Sequence, residues 1–415
     1  MTRFLAFVLA WTTAFGPASF SQDRATQPAE NQTPENVIHV NVNLVQMDAT
    51  VTDSHGNSVD TLKPEDFEIL QDGKSQKITN FSFISTRPAA APANQPKAVS
   101  QTNGKPIPPP PFLPKPADIH RTIALVVDDL GLSFESIARV RSSLKKFIDT
   151  QVQPGDLVAV VRTGAGMGSL QQFSTDKRML EAAVDHVKYN ALMSRVGVST
   201  FEPLGGAGGG GRGIDELRSS VFSVGTLGAI RYVVDGLREL PGRKTVVLFS
   251  ENLQLFHGND PDPRVMDGVR TLIDAANRAS VVIDSIDTRG LEYYGPTAAD
   301  NTSGMSARQI SRIPMQRSAQ VFRSQDGLVM LAHDTGGVFY QNSNDILGEV
   351  EKAVKDSDGY YLIAYHPPSD TFDAKTGRPK FHSVKVRVKT AGLTVRYRNG
   401  FLNHSDALEE PAPVC

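Results

Sequence analysis

The sequence predicts an α/β protein: a doubly wound, mostly parallel sheet joined to a small all-β module built from strands near both ends of the chain. Three observations predict it. From His120 to Tyr365, short apolar runs alternate with amphipathic stretches of helical period, the pattern of parallel strands covered by helices on both faces. Residues 37–84 and 380–402 instead alternate apolar and polar at period two, as half-buried antiparallel strands do. Between them, residues 86–118 are dominated by proline and alanine, an extended linker of polyproline II character that divides the β segment from the α/β segment. A length of 415 residues accommodates this many parts.

Composition narrows the function. A formal net charge of −2 argues against a general nucleic-acid binder, which needs a clustered positive surface to displace counterions. The one cysteine is Cys415, so neither an intrachain disulfide framework nor a zinc–thiolate cluster is available.

The elements follow in order. Met1 to Ser21 has Arg3 ahead of a short apolar stretch, Leu5 to Phe15, with Ser19 and Ser21 as small residues before a cut; this is the form of an export signal. The expected location is therefore secreted or periplasmic. Residues 37–85 form the N-terminal β module, with turn chemistry at Asp53–Asn57 and Gln71–Lys74. Residues 119–366 form the α/β domain. Its expected strands are Thr122–Val127, Leu157–Val161, Leu170–Phe173, Thr245–Phe249, Val281–Ile286, Val338–Tyr340 and Gly359–Tyr365. Its expected helices are Phe134–Thr150, Lys177–Val187, Thr226–Leu240, Asp262–Ala279, Gln325–Thr335 and Asn344–Val354. Residues 189–216 hold a glycine run and residues 288–322 hold Pro296 and Pro314; both read as loops. Residues 380–402 read as a hairpin around Ala391-Gly392. A hairpin is not stable alone, so it is expected to complete the N-terminal β module.

Open α/β sheets bind ligands beyond the carboxyl ends of their strands. After the first strand come Asp128-Asp129-Leu130-Gly131-Leu132-Ser133, in which Asp129, Gly131 and Ser133 form D-x-G-x-S. Thr226 opens a later helix, and Glu251 follows the strand ending at Phe249. Carboxylate and hydroxyl oxygens from three loops are the donors a hard divalent cation prefers. Each residue also has a structural reading, since acids and serines at helix starts cap the first turn. No H-E-x-x-H, no G-x-S-x-G and no nucleophile–base pair is present.

This arrangement, with the stretches VDDLGLS, PGDLVAVVRTGAGMGSLQQF, VGTLGA, LRELPGRKTVVLFS and DGYYLIAYHP, resembles the von Willebrand factor A domain, and more narrowly the VWFA-related proteins found chiefly in acidobacteria. The resemblance covers residues 119–366. It implies a metal-ion-dependent adhesion site in which Asp129 takes the first aspartate of D-x-S-x-S, Ser133 the second serine, Thr226 the later threonine and Glu251 the last aspartate. Gly131 replaces the first serine and Glu251 is one methylene longer than aspartate, so the implied Mg²⁺ site is incomplete. Asp128 is expected beside it, with an exchange of roles with Asp129 left open. The implied function is an exported protein- or ligand-binding module whose partner completes the site with an acidic side chain. The alternatives are an exported metal-assisted hydrolase and a structural envelope protein with a vestigial site; no catalytic residue is assigned.

Overall fold

The computed structural model describes residues 44–86, 119–164, 172–189, 212–257, 260–368, 371 and 380–403. The expected export signal, the strand start at residues 37–43, the proline-rich linker and most of the glycine run lie outside these residues. Among the described residues no helix is long and apolar enough to cross a membrane.

In chain order the N-terminal strands are β1 (Val45–Thr52), β2 (Phe67–Gln71), β3 (Lys74–Gln76) and β4 (Ile78–Ser85). Then follow β5 (Arg121–Val127), α1 (Phe134–Gln151), β6 (Asp156–Arg162), α2 (Lys177–Asp185), α3 (Arg212–Leu237) and β7 (Lys244–Ser250). A small ribbon of β8 (Phe256–His257) and β9 (Asp260–Pro261) precedes α4 (Pro263–Arg278), β10 (Val281–Asp287), α5 (Ala307–Thr335), β11 (Phe339–Tyr340) and α6 (Ile346–Lys355). The chain closes with β12 (Gly359–Tyr365), β13 (Phe381–Val388), β14 (Thr394–Tyr397) and β15 (Gly400–Leu402).

Five strands form one parallel sheet in the order β11-β10-β7-β5-β6. Its central strands are buried along their whole length, β5, β7 and β10 alike, because helices cover both faces. Helices α1, α2 and α6 pack on one face through Leu144, Leu180 and Val350. Helices α3, α4 and α5 pack on the other through Ile230, Val269 and Leu328. Local chemistry starts these helices where the core needs them. Ser133 caps α1, Asp262 caps α4 ahead of Pro263, and Ser306 with Gln309 forms a capping box on α5. Helix α5 stops at Gly336, which takes the left-handed conformation (φ 81°). A side chain there would also strike the Tyr397 carbonyl carbon at 2.9 Å, so glycine lets the helix end sit against β14.

The remaining strands form two four-stranded antiparallel sheets, β14-β1-β12-β4 and β15-β13-β2-β3. They share one core of Met47, Val51, Phe67, Ile69, Tyr361, Tyr365 and Val386. Polar side chains tie the layers internally: the Tyr365 hydroxyl donates to Gln71 Oε1 at 2.9 Å, and the Tyr361 hydroxyl donates to the Val59 carbonyl at 2.9 Å.

Four expectations are corrected. Gly359–Tyr365 is not a strand of the parallel sheet; it is the antiparallel strand between β1 and β4. The expected hairpin is not built from β13 and β14: β13 pairs with β2 and with β15, and β14 pairs with β1, so the two arms around Ala391-Gly392 enter opposite sheets. Helix α5 begins at Ala307 and passes through Pro314, where a loop is expected. The capping box sets its start, and Pro314 is on the exposed side of the helix. Of the expected strand Leu170–Phe173, residues 170–171 lie outside the described residues and 172–173 form no strand; among the described residues a single bridge, Ser174 to Val158, adjoins the sheet there.

Candidate functional site

The strand order reverses between β5 and β7, because α1 carries the chain from β5 to β6 on one side and the later strands build on the other. Loops leaving neighbouring strands in opposite directions open a crevice at their carboxyl ends. Asp128 and Asp129 follow β5 at this point, and Ser250 and Glu251 end β7.

Asp128 is fully buried, and its amide donates to the Phe249 carbonyl at 2.9 Å, holding the end of β5 to β7. Its carboxylate collects hydroxyl donors from three elements. Thr163 Oγ1 after β6 and Thr226 Oγ1 in α3 each donate to Oδ1 at 2.9 Å, and Ser250 Oγ donates to Oδ2 at 2.7 Å. Such hydroxyl–carboxylate bonds keep a desolvated charge from being left unpaired. Thr226 lies well inside α3, which begins at Arg212, so the capping alternative for it does not hold.

Asp129, one residue on, turns elsewhere. Its Oδ2 accepts from Arg162 Nε at 2.8 Å and Nη2 at 2.7 Å, and its Oδ1 accepts from the Gly164 amide at 2.8 Å. The approach at Gly164 is close. A Cβ there would lie 2.7 Å from Leu130 Cγ and 3.0 Å from Asp129 Oδ1.

Ser133 serves two purposes. Its Oγ accepts from the Ser136 amide at 3.3 Å, capping α1, and donates to Glu251 Oε1 at 3.0 Å. Glu251 is buried, and burial pushes its carboxyl up to about 7 against the opposing pull of Ser136, Arg289 and Ser133. Behind it stands a buried polar group on the loop after β10. Arg289 Nε donates to Asp287 Oδ1 at 2.9 Å, Gln325 Nε2 donates to Asp287 Oδ2 at 2.6 Å, and Arg289 Nη1 donates to Ser324 Oγ at 2.8 Å.

Of the four residues expected at the metal site, two contacts form: Ser133 meets Glu251, and Thr226 meets Asp128 in place of Asp129. Asp129 is drawn to Arg162. Sequence reasoning saw Ser250 after the strand ending at Phe249 but left it out of the ligand set, and it passed over Arg162 and Thr163. Arg162 ends β6 and Thr163 follows it, so the rule used for Asp129 and Glu251, applied to this strand end too, would have found them.

The donor set is all oxygen. Each hydroxyl donates to a carboxylate and, by rotating its hydrogen, can offer a lone pair instead. This chemistry fits a hard cation of the Mg²⁺ type. Among the described residues, however, no three acidic, histidine or cysteine side chains converge on one point, so hydroxyls would have to supply most of the ligands.

No family model matches the chain, and no curated protein matches it. Among solved structures it is similar to an aerotolerance-related membrane protein from Bacteroides fragilis NCTC 9343 with multiple mutations to serines. That similarity has 9% identity and a TM-score of 0.31, covering 56% of this chain and 98% of that one. It is also similar to the conserved hypothetical protein BatB from Bacteroides thetaiotaomicron, at 8% identity and a TM-score of 0.28, covering 57% of this chain and 98% of that one. Likenesses this distant say nothing about the site. The chain itself folds as a doubly wound α/β domain joined to an antiparallel β-sandwich.

Proposed function

We propose that the chain is an exported von Willebrand factor A-like binding module, whose partner docks over the carboxyl end of the parallel sheet. The observation that carries this reading is the Asp128 carboxylate at the switch point, surrounded by hydroxyls of Thr163, Thr226 and Ser250. In this reading Asp128 and Thr226 hold Mg²⁺ together with the Ser133–Glu251 pair, and Asp129 supports the loop from outside. A bound Mg²⁺ would supply a position open to a carboxylate of the partner. Export rests on the Met1 to Ser21 pattern. Calorimetric titration of the full chain with Mg²⁺ tests the metal: saturable binding lost in Asp128→Asn and in Thr226→Val supports it, and no binding by the wild type overturns it. Capture of envelope proteins with and without Mg²⁺ then tests the module.

A second reading is favoured by Arg162. Its guanidinium already neutralises Asp129, and every oxygen of Asp128 and Asp129 has a donor from the protein itself. The site would then be a metal-free surface held in shape by hydroxyls, and partner capture would survive chelation by EDTA. The hydrolase alternative loses support for the same reason, because Asp129 is tied into an ion pair and is poorly placed to act as a base opposite Glu251.

A further inference from the structure

A second opening lies far from the switch point, between the β-sandwich and the α/β domain. It is a cleft of about 730 Å³, within the size range of small-molecule sites. One wall is the outward face of β13, where period two places Phe381, Lys385 and Arg387 on the same side, with Leu70 beside Lys385 on β2. The other wall is α4, which contributes Ile273 and Asn277.

The wall chemistry is asymmetric. Phe381 and Leu70 offer apolar surface with the buried Ile273 behind them, and Phe381 is 53% exposed, unusual for a phenylalanine with an apolar neighbourhood within reach. Lys385 is exposed, and among the described residues no carboxylate is paired with it. Arg387 has a loose partner, its cross-strand neighbour Glu68 at 3.7 Å on the same face as Leu70. Asp334, the one acid among the described residues that line the cleft, already accepts from Asn399 Nδ2 at 2.8 Å. The cleft thus presents positive charge, loosely paired at Arg387 and without a carboxylate partner among the described residues at Lys385, beside exposed apolar surface.

We infer that this cleft binds a small amphipathic carboxylate, its apolar body lying between Phe381, Leu70 and Ile273 and its anionic head meeting Lys385 and Arg387. Charge complementarity selects the head, since an ammonium and a guanidinium both bind a carboxylate by charge-assisted hydrogen bonds. The apolar surface selects the body, whose burial provides most of the affinity. The inference is independent of the metal reading, because no residue is shared between the two sites.

The test is a calorimetric titration of the full chain with decanoate, with decan-1-ol and decylamine as controls of equal tail length. Decanoate is expected to bind saturably at one site, with the alcohol and the amine each at least about tenfold weaker. Lys385→Gln should weaken decanoate about tenfold while leaving decan-1-ol unchanged, and Phe381→Ser should weaken both. Both residues are exposed, so the fold tolerates their replacement. No saturable binding of decanoate, equal binding of the amine, or decanoate binding unchanged in both variants overturns the proposal.

Discussion

The two ends of the parallel sheet are both polar and largely buried, and both hold guanidinium–carboxylate pairs, but at the carboxyl ends beside Arg162–Asp129 and Arg289–Asp287 there are also hydroxyl–carboxylate pairs. At the amino ends of the strands, guanidinium groups meet carboxylates. Arg121 holds Asp156 through Nε at 2.8 Å and Nη2 at 2.6 Å and reaches Asp358 at 3.3 Å. Arg396 pairs with Asp356 at 2.7 Å, and Arg398 donates to the Asn277 carbonyl. At the carboxyl ends, hydroxyl groups meet carboxylates around Asp128 and Glu251. A guanidinium has no lone pair to offer and a fixed fork of hydrogens. It can lock two segments but cannot change partner. A hydroxyl can donate or accept. The first end is a joint that fastens the α/β domain to the strands of the sandwich, and the second holds buried hydroxyl–carboxylate pairs whose hydroxyls are free to rotate.

The sharpest way to break this comparison is to remove one donor at each end. Arg121→Ala leaves Asp156 fully buried with its charge uncompensated, and breaking such a pair costs about 3–5 kcal/mol. Ser250→Ala removes one of the hydroxyl donors of Asp128 and should cost only about 1–3 kcal/mol. Urea denaturation of the two variants measures both. If Ser250→Ala is the more damaging, the carboxyl end is the structural joint and the assignment is inverted.

pH separates the two ends next. Burial raises Asp284, near the amino-end joint, and Glu251, at the carboxyl end, each to about 7. Between the ordinary carboxyl range and about 7, the folded state keeps protons that the unfolded chain has released. The stabilisation is complete below the unfolded values and is lost as pH rises through about 7. Urea midpoints of the wild type should therefore fall from about pH 5 to about pH 8. Glu251→Gln and Asp284→Asn should each flatten the slope. A Glu251→Gln slope equal to that of the wild type would place an ionised carboxylate at the carboxyl end throughout this range.

The steric clamp on Asp129 gives a smaller effect. Gly164→Ala puts a Cβ within 2.7 Å of Leu130 Cγ and 3.0 Å of Asp129 Oδ1, and overpacking of this kind costs about 1–3 kcal/mol. The loss should come with a weaker Arg162–Asp129 pair, seen as reduced amide-exchange protection at Gly131 and Leu132. Unchanged protection would mean that the loop does not depend on the clamp.

How legible these regions were in the sequence follows from the same physics. The parallel strands and their helices are readable because continuous apolar runs and helical periods leave few alternatives. Gly359–Tyr365 is misread because it is buried on both faces, the mark of a parallel strand, while here the sandwich core covers one face and the α/β domain the other. Tyr361 lies in the sandwich core, and Tyr360 sits under Arg243 at 5.8 Å. The start of α3 is hidden by the glycine run, which makes Thr226 look like a cap. At the site, residue types were legible and pairings were not. Asp128 and Asp129 are adjacent and chemically equal, and only the end of β5 decides which faces Thr226 and which faces Arg162.

The smallest expected effect sharpens the reading of the carboxyl end itself. Gly131 stands where the resembling adhesion sites have a serine, and its amide donates to the Asp128 carbonyl at 2.8 Å, so the position borders the candidate ligands. Its φ is not positive, so a serine meets no left-handed strain there. If Mg²⁺ is held by Asp128 and Thr226, Gly131→Ser adds a hydroxyl where water would otherwise serve. The gain should be modest, no more than about tenfold in affinity, because Mg²⁺ binds water readily and the two oxygens are similar donors. Calorimetry on the wild type and the variant measures it, with urea denaturation to show that the fold is intact. A folded variant with unchanged Mg²⁺ affinity removes position 131 from the ligand set. A variant that binds Mg²⁺ when the wild type does not would show that the hydroxyl–carboxylate cluster is one oxygen short of a metal site, and that in the native chain it works without the ion.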